Sequence, residues 1–460
     1  MAKKTVSAPA ALAPANRPPY MLIEEIRVQG YKSLVDATLH VRPLTLLAGT
    51  NSSGKSSIMQ PLLLIKQTME APYQPAGALV LDGAHVQAET AGELVSKIYP
   101  QFEKLISVEI NGSNNVRHVK LDSSVAMVYY PTELGFSIIK QDGYSVVAGA
   151  KNRFDLTPSS TWKDIYKQLE ANGTQVGLDF DKFRSEVKTA SGFLNAEIYN
   201  SDGERARNFN NAGYLISTLA MLFHIPGLRV LPKRRYPVTT FQNEIKGTFD
   251  LYSAGTVSQW QQQQDTEALT KLNDYLRRLG LTDSVTAKVK NANEVELSVS
   301  RLPTGSKGKP RKADMVNIAD VGIGVSQVLP ILVALIAAQD GQIVYVEQPE
   351  LHLHPRAQVA MAELLAEAAN RGVRVIVETH SSLLLLTVQT LIAQERIKNT
   401  DVALHWFARD AKGATQVTYV QPDEDGAYGE WPEDFGDVEL RAQDAYLTAV
   451  GLRHFGKAAK

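Results

Sequence analysis

One segment restricts the fold of this chain more than any other: the run Gly-Thr-Asn-Ser-Ser-Gly-Lys-Ser at residues 49–56. It follows Val41–Ala48, which predicts a buried strand, and leads into Ser56–Thr68, which predicts a helix kinked or delayed by Pro61. Glycines at this spacing let the backbone wrap phosphate groups, and the helix N-terminus adds a positive dipole end. The segment therefore predicts a phosphate-binding loop for ATP, with Lys55 on the β- and γ-phosphates and Ser56 on Mg²⁺.

Composition excludes several kinds of protein. The 460 residues contain no cysteine, so disulfides, thiolate nucleophiles and Cys-ligated metals are excluded, and a cytoplasmic location is expected. A net charge of −1 means that any contact with nucleic acid must come from local basic patches. No apolar run approaches the roughly 18 residues of a membrane helix. The Ala/Pro-rich residues 1–20 lack the apolar core of a signal peptide and predict a disordered extension.

Two further apolar runs end in polar clusters. Residues 343–346 lead into Glu347-Gln348-Pro349-Glu350, and residues 375–377 lead into Glu378-Thr379-His380. Because ligands bind where parallel strands end, Glu347 is a candidate for holding Mg²⁺ and His380 for contacting the γ-phosphate or the attacking water. Taken alone, the second cluster is more often a helix N-cap at Ser381 or Ser382, but its place after the other motifs favours a site.

A glycine-rich segment, residues 320–327, precedes an apolar helix. It predicts either an anion-binding helix N-terminus or a plain helix start. The remaining predictions are strands at 22–29, 285–301, 342–347, 373–378, 401–408 and 416–421, mixed strands and turns at 79–155, a mainly helical stretch at 160–225, and helices at 266–280, 324–338, 356–369 and 382–393. The alternation after residue 318 indicates a mostly parallel sheet covered by helices.

With these motifs in this order, the chain resembles an ABC-type ATPase head of the SMC/RecF/OLD-like group over about residues 21–105 and 310–421. Residues 26–34 resemble the first strand and turn of that group, residues 322–327 its signature loop, and residues 351–355 the segment that crosses its dimer interface. The resemblance implies an α/β fold: an ABC-type (P-loop NTPase) head with a mixed α+β insertion between its two halves. It also implies ATP and Mg²⁺ as cofactors and head-to-head dimers that enclose two ATP molecules.

The same resemblance implies the domain boundaries of this chain and the residues of its nucleotide site. The divisions are an N-terminal extension (1–20), an N-terminal half of the head (21–105), an inserted, partner-recognising region (106–310), a C-terminal half (311–421) and a tail with a helix (422–460). The nucleotide-binding residues are Lys32, Ser33, Asn51, Ser52, Ser53, Gly54, Lys55, Ser56, Ser57, Gly322, Gly324, Ser326 and Gln327. The metal ligands are Ser56, Glu347 and Gln87, and the catalytic residues are Glu347, Gln348, Glu350 and His380.

Two positions depart from the family pattern. Gly322 stands where many members carry Ser, so recognition of the γ-phosphate would depend on backbone N–H groups. Gln348 stands where the usual residue is a Glu that polarises the attacking water. A neutral amide orients water but cannot accept its proton, so slow hydrolysis is expected, with Glu350 as an alternative base.

Residues 320–330, together with the Trp431-Pro432 pair, are most similar to stand-alone bacterial AAA-type ATPases of anti-phage defence operons, of the PARIS and Septu kind. That similarity implies an ATP-gated sensor or scaffold that controls a separate nuclease or toxin, with assembly beyond the dimer left open. Two other classes remain open. A DNA-repair-type ATPase would bind DNA through the basic residues at 232–236 and 306–312, although such clusters are more often solvated loops. An enzyme with its own nuclease site is disfavoured, because no acidic set follows the head.

Overall fold

The computed structural model describes residues 20–73, 77–98, 104–116, 119–147, 150–172, 182–210, 212–229, 231–239, 244–301, 314–429 and 444–450. Residues 1–19 of the expected disordered extension, the basic loop at 306–312 and the Trp431-Pro432 pair lie outside these residues, whereas Tyr20 begins the first strand. Within the described part, no helix is both long and apolar enough to cross a bilayer.

The helices are α1 (Lys55–Glu70), α2 (Ala91–Leu94), α3 (Trp162–Ala171), α4 (Gly213–Ala220), α5 (Ser253–Gln263), α6 (Thr266–Arg278), α7 (Ile323–Ala337), α8 (Pro355–Asn370) and α9 (Ser382–Ala393). The strands are β1 (Tyr20–Tyr31), β2 (Leu34–His40), β3 (Leu44–Gly49), β4 (Ile106–Val116), β5 (Val119–Thr132), β6 (Gly135–Val147), β7 (Ala150–Leu156), β8 (Phe183–Ala190), β9 (Phe193–Asn200), β10 (Arg205–Phe209), β11 (Phe223–Ile225), β12 (Tyr236–Pro237), β13 (Val285–Val289), β14 (Glu294–Ser300), β15 (Met315–Asn317), β16 (Ile343–Glu347), β17 (Arg374–Thr379), β18 (Val402–Arg409) and β19 (Thr415–Val420).

The central sheet has the strand order β11-β16-β17-β3-β18-β19. All neighbouring pairs are parallel except β18 with β19. Both faces of this sheet are covered, which explains why β3 is apolar throughout: Leu44 and Leu46 pack into a core with α5–α9, whereas Leu47 packs into a second core with α1. The parallel, helix-covered sheet predicted from the sequence is therefore present.

A second, antiparallel sheet has the order β2-β1-β4-β5-β6-β7 and packs over the face of the central sheet that carries α1. Its strands β4–β7 belong to residues 106–310, and so does β11, an edge strand of the central sheet. That region is therefore built into both sheets of the head rather than inserted as a separate module. Its expected role in partner recognition stays a prediction.

The sequence interpretation was wrong over residues 160–225, where a mainly helical stretch was expected. Helices α3 and α4 are there, but β8, β9, β10 and β11 occupy most of the other residues that the structure describes in this stretch. Strand β8 alternates strictly between half-buried and exposed residues, which is the period-two pattern of a strand. Helix α1 begins at Lys55, ahead of Pro61, so the late start considered from the sequence was also wrong.

Strand β18 carries a buried imidazole that is expected to make the fold sensitive to acid. His405 is fully buried, and its Nε2 accepts a hydrogen bond from the backbone N–H of His40 at 3.0 Å. Burial, reinforced by nearby His40 and Arg42, lowers the pKa of His405 from 6.5 to about 3. The unfolded chain therefore binds more protons than the folded one between these values, and stability falls as the pH falls through this window.

We expect His405→Gln, which keeps an acceptor for His40 but does not titrate, to reduce this acid sensitivity. Between pH 7 and pH 5 the wild-type protein should lose about 2 kcal/mol more free energy of unfolding than the variant. Urea denaturation at the two pH values measures the difference. Equal losses in the two proteins would show that His405 does not take up a proton on unfolding.

Candidate functional site

The phosphate loop predicted from the sequence joins β3 to α1. Gly49 has a φ of 149° and Gly54 a φ of 102°, conformations that side chains rarely allow. A Cβ atom on Gly49 would lie 2.2 Å from the carbonyl oxygen of Phe407, and one on Gly54 would lie 2.5 Å from Thr415 Oγ1. No side chain caps the N-terminus of α1, so its first-turn N–H groups are available to an anion.

Lys55 lies folded into this loop. Its Nζ donates to the carbonyl oxygens of Gly49 and Thr50, at 3.0 Å and 2.8 Å, and the residue is only 3% exposed. Burial lowers the pKa of Lys55, while Glu378 and Glu350 act in the opposite direction. The amine is thus a partly desolvated cation, an environment in which its attraction for phosphate is stronger than in water.

The hydroxyl groups of Ser33 and Thr415 stabilise the phosphate loop from outside the cleft. Thr415 Oγ1 lies 2.8 Å from Ser33 Oγ and donates to the carbonyl oxygen of Ser53 at 2.8 Å. Lys32 Nζ donates to Gln60 Oε1 at 2.8 Å. Lys32 and Ser33, which the family resemblance placed near the nucleotide, are therefore close to the loop, but neither lines the cleft that it forms.

The cleft in front of the loop has a volume of about 440 Å³. It is lined by Asn51, Ser52, Ser53, Gly54, Lys55, Ser56, Ser57, Gln60, Gln348, Glu378, His380 and Arg409. The structure thus brings together the loop residues, Gln348 and His380 as expected from the sequence. Sequence reasoning missed three residues as part of the site, namely Gln60, Glu378 and Arg409. Glu378 and Arg409 lie at the carboxyl ends of β17 and β18, and that position was a usable signal.

Glu378 is the carboxylate residue among those that line the cleft. It accepts hydrogen bonds from Ser56 and from the Tyr345 hydroxyl, the latter at 3.2 Å. Burial raises the pKa of Glu378, and Glu347 adds to this effect, whereas Ser56 and Lys55 oppose it. The contact between Ser56 and Glu378 was not expected, because the sequence pointed to Glu347 as the carboxylate partner of Ser56.

Glu347 ends the neighbouring strand, β16, and does not line the cleft. Its Oε1 lies 3.1 Å from His224 Nε2, and its Oε2 accepts the backbone N–H of Gly227 at 3.0 Å. Burial would raise the pKa of Glu347, but these hydrogen bonds outweigh burial and the pKa is lowered. The Tyr345 hydroxyl donates to Glu378 Oε2 at 3.2 Å, and burial together with the nearby charges of Glu347 and Glu378 raises the pKa of Tyr345.

The residues after Glu347 form a tight turn towards β17. Gln348 adopts a φ of 45°, and its N–H donates to the carbonyl oxygen of Glu378 at 2.7 Å. Glu350 Oε1 accepts the N–H of His380 at 2.6 Å, while the buried Oε2 has no hydrogen-bond partner. Burial raises the pKa of Glu350 and lowers that of His380, with Lys55 contributing to the latter shift. The Glu350 carboxylate therefore binds the backbone of His380, whose side chain lines the cleft.

Two predicted parts of the site lie elsewhere. Gln87 is exposed and pairs with Asp82 in an isolated bridge, away from the cleft. The signature segment begins α7, where Gly322 is exposed and Gly324 half-buried. Ser326 and Gln327 are buried, at 7% and 4% exposure, and the Ser326 hydroxyl donates to the carbonyl oxygen of Ile323 at 2.8 Å. Only the start of the segment is therefore open to a ligand.

The basic cluster near residue 234 is engaged within the chain. Arg234 forms a bidentate pair with Asp320 at 2.6 Å and 3.1 Å, and Arg235 pairs with Glu294 at 3.0 Å. These arginines already have carboxylate partners, so direct binding of DNA through this cluster would require the pairs to break. Charge neutralisation of DNA phosphates depends on available cations.

The donor set fits Mg–ATP. The loop offers backbone N–H groups and Lys55 to phosphates, and the buried hydroxyl of Ser53 has no hydrogen-bond partner. Ser56 and one or two carboxylates, Glu378 and Glu347, are the oxygen ligands that Mg²⁺ takes alongside substrate phosphates and water. Among the described residues, no group of three or more His, Asp or Glu is arranged to hold a metal, so phosphate oxygens would complete the coordination.

Comparison with known families agrees with this site. The family "AAA ATPase domain" matches residues 21–218, and the family "AAA domain, putative AbiEii toxin, Type IV TA system" matches residues 261–386. None of the curated proteins is significantly similar in sequence. The two matches fall in the two halves of the head, each covers less than half of the chain, and both families are described as AAA domains.

Solved structures similar to this chain include heads of SMC proteins. An Smc head bound to the C-terminal winged-helix domain of ScpA has 12% identity and a TM-score of 0.42, over 87% of this chain and 98% of that chain. The Smc head of Pyrococcus furiosus with an extended coiled coil, bound to the C-terminal domain of ScpA, has 12% identity and a TM-score of 0.38, over 94% and 100%. The SMC head of Thermotoga maritima has 12% identity and a TM-score of 0.37, over 86% and 98%.

Proposed function

We propose that this chain is a slowly hydrolysing, ATP-gated switch of bacterial anti-phage defence, in which two heads close on two ATP molecules and control a separate effector such as a nuclease or toxin. The observation that carries the proposal is the division of the site within one chain. The cleft assembles the phosphate loop with Gln348, Glu378 and His380, whereas the open start of α7 is not among the residues that line it. A second head would place the start of its own α7 at the open side of this cleft.

The start of α7 suits this role. Gly322 and Ile323 are exposed, and no side chain caps the helix. Its free N–H groups, at the positive end of the helix, would bind the γ-phosphate of the ATP held by the other head. Ser326 and Gln327 were expected to contact that nucleotide as well, but their burial points to a supporting role within the helix. ATP would then favour the closed dimer by binding it more tightly than the open heads.

Slow hydrolysis is consistent with a switch. The expectation that hydrolysis is slow rests on Gln348. The Gln348 amide lines the cleft where the resembling ATPases carry a catalytic Glu. An amide orients water without removing its proton, so the ATP-bound state would persist. The link to defence is supported by the family match over residues 261–386, whose description joins an AAA domain to a putative toxin of a type IV toxin–antitoxin system. This chain would act in the cytoplasm as the sensor beside such an effector.

The proposal is tested by co-expression with the products of the neighbouring genes and mass measurement with and without Mg–ATP. We expect a stable complex with one of these gene products. When Mg–ATP is added, the mass of the complex should show two copies of this chain instead of one, which is the doubling of the head. Lys55→Ala should prevent the doubling, while Lys398→Ala, a change of an exposed lysine, should not. A lone dimer that binds DNA and no neighbour would contradict the sensor role.

A further inference from the structure

A short segment, Phe223–Arg229, contacts the end of β16 on the side opposite β17. As described above, His224 and Gly227 each contact one carboxylate oxygen of Glu347. Arg229 Nη2 donates to the carbonyl oxygens of Glu347 and Gln348, at 2.5 Å and 3.2 Å. The side chain of Glu347 and the backbone at Glu347 and Gln348 are therefore held by one segment of the central region.

Strand pairing explains how this segment reaches the site. In β11, His224 lies opposite Tyr345 of β16 in parallel register. The two rings stack at 5.3 Å with 12° between their planes. Glu347 follows Tyr345 by one period of the strand, so its side chain emerges on the face that His224 occupies. Arg229 is 7% exposed and adds a buried positive charge beside Asp250, Glu347 and Glu350.

His224 is itself held from its other side. Its Nδ1 lies 2.9 Å from His85 Nδ1, and His85 Nε2 lies 3.1 Å from Glu70 Oε2. Lys66 Nζ lies 2.9 Å from Glu70 Oε1, and the side chains of Lys66, His85 and His224 are all nearly inaccessible. An ionised carboxylate only accepts hydrogen bonds, so His224 donates to Glu347 through Nε2. The chain of contacts from α1 thus fixes the orientation of the ring that holds Glu347.

We propose that His224 is a positioning residue that holds Glu347 ready for Mg²⁺, so that the central region sets the metal affinity of the ATP site. The inference rests on the proposed function, because it concerns the same cleft. Partners that hydrogen-bond a metal-binding carboxylate restrict its orientation, and their loss typically costs about 10- to 100-fold in metal affinity. His224 and Gly227 stand in that relation to the Glu347 carboxylate, and Arg229 holds the backbone at Glu347 and Gln348.

The test is a Mg²⁺ titration of the binding of a fluorescent ATP analogue, measured by anisotropy, on the full chain. His224→Phe keeps the stacking on Tyr345 but removes the donor, and we expect it to raise the Mg²⁺ midpoint about 10- to 100-fold. Binding of the analogue without Mg²⁺ should not change. His224→Gln, which retains an N–H donor, should restore most of the Mg²⁺ response. A merely structural role would not produce this pattern of loss and rescue.

His405→Phe is the matched control, because His405 is as buried as His224 and lies in the same sheet without contacting Glu347. An unchanged or lower midpoint in His224→Phe, or an equal rise in His405→Phe, overturns the inference. If thermal melting shows that His224→Phe is unfolded, His85→Phe replaces it, with the same expected rise. Analogue binding that does not depend on Lys55 would contradict the proposed function instead, so the two failures are distinguishable.

Discussion

Replacing Lys55 by Ala is expected to lower the affinity of the protein for ATP by at least about 100-fold. Hydrogen bonds to charged groups contribute about 1.5–3 kcal/mol, and about 100-fold corresponds to 2.7 kcal/mol. Lys55 is a desolvated cation inside the loop, where water screens its charge poorly. Its bonds to the carbonyl oxygens of Gly49 and Thr50 would be exchanged for bonds to phosphate oxygens when ATP binds.

Isothermal titration calorimetry with ATP and Mg²⁺ measures this loss directly. Thermal melting of the nucleotide-free variant serves as the check on folding, and Lys398→Ala controls for removal of one positive charge. If Lys55→Ala bound ATP within about threefold of wild type, the cleft between β3 and α1 would not be the nucleotide site. That result would also remove the basis of the ATP-gated switch.

Gln348→Glu is expected to raise steady-state ATP hydrolysis by about 100-fold or more, the usual contribution of a positioned general base. Gln348 lines the cleft beside Lys55, Glu378 and His380, so a carboxylate at this position would be near the attacking water. The neighbouring Glu350 is the competing candidate. Its raised pKa and its free Oε2 suit a base, but it does not line the cleft.

Phosphate release under single and multiple turnover separates these two residues. If Gln348 limits the rate, Gln348→Glu accelerates hydrolysis and Glu350→Gln changes the wild-type rate little. If Glu350 is the base, Glu350→Gln abolishes the residual rate and Gln348→Glu adds little. Rapid turnover by the wild-type protein would refute slow hydrolysis, whichever residue is responsible.

Prediction from the sequence succeeded for the parts of this protein that depend on neighbouring residues. The strand, glycine-rich loop and helix around Lys55 are contiguous, so their composition and order were enough to predict both structure and ligand. The alternation after residue 318 was equally readable, and helices α7–α9 and strands β16–β19 lie within a few residues of their predicted bounds. Gly280, expected to end α6, does so with a φ of 69°.

Which distant groups meet at the site depends on how the strands and helices pack together. Pairing of β11 with β16 brings His224 to Glu347 across 123 positions of sequence, and Thr415 reaches the loop at Ser53 across 362. The order of strands puts β17 next to β3, which makes Glu378 rather than Glu347 the neighbour of Ser56. Periodicity reports which face of a strand is buried but not which strand lies beside it, because that choice is made by packing across the whole sheet.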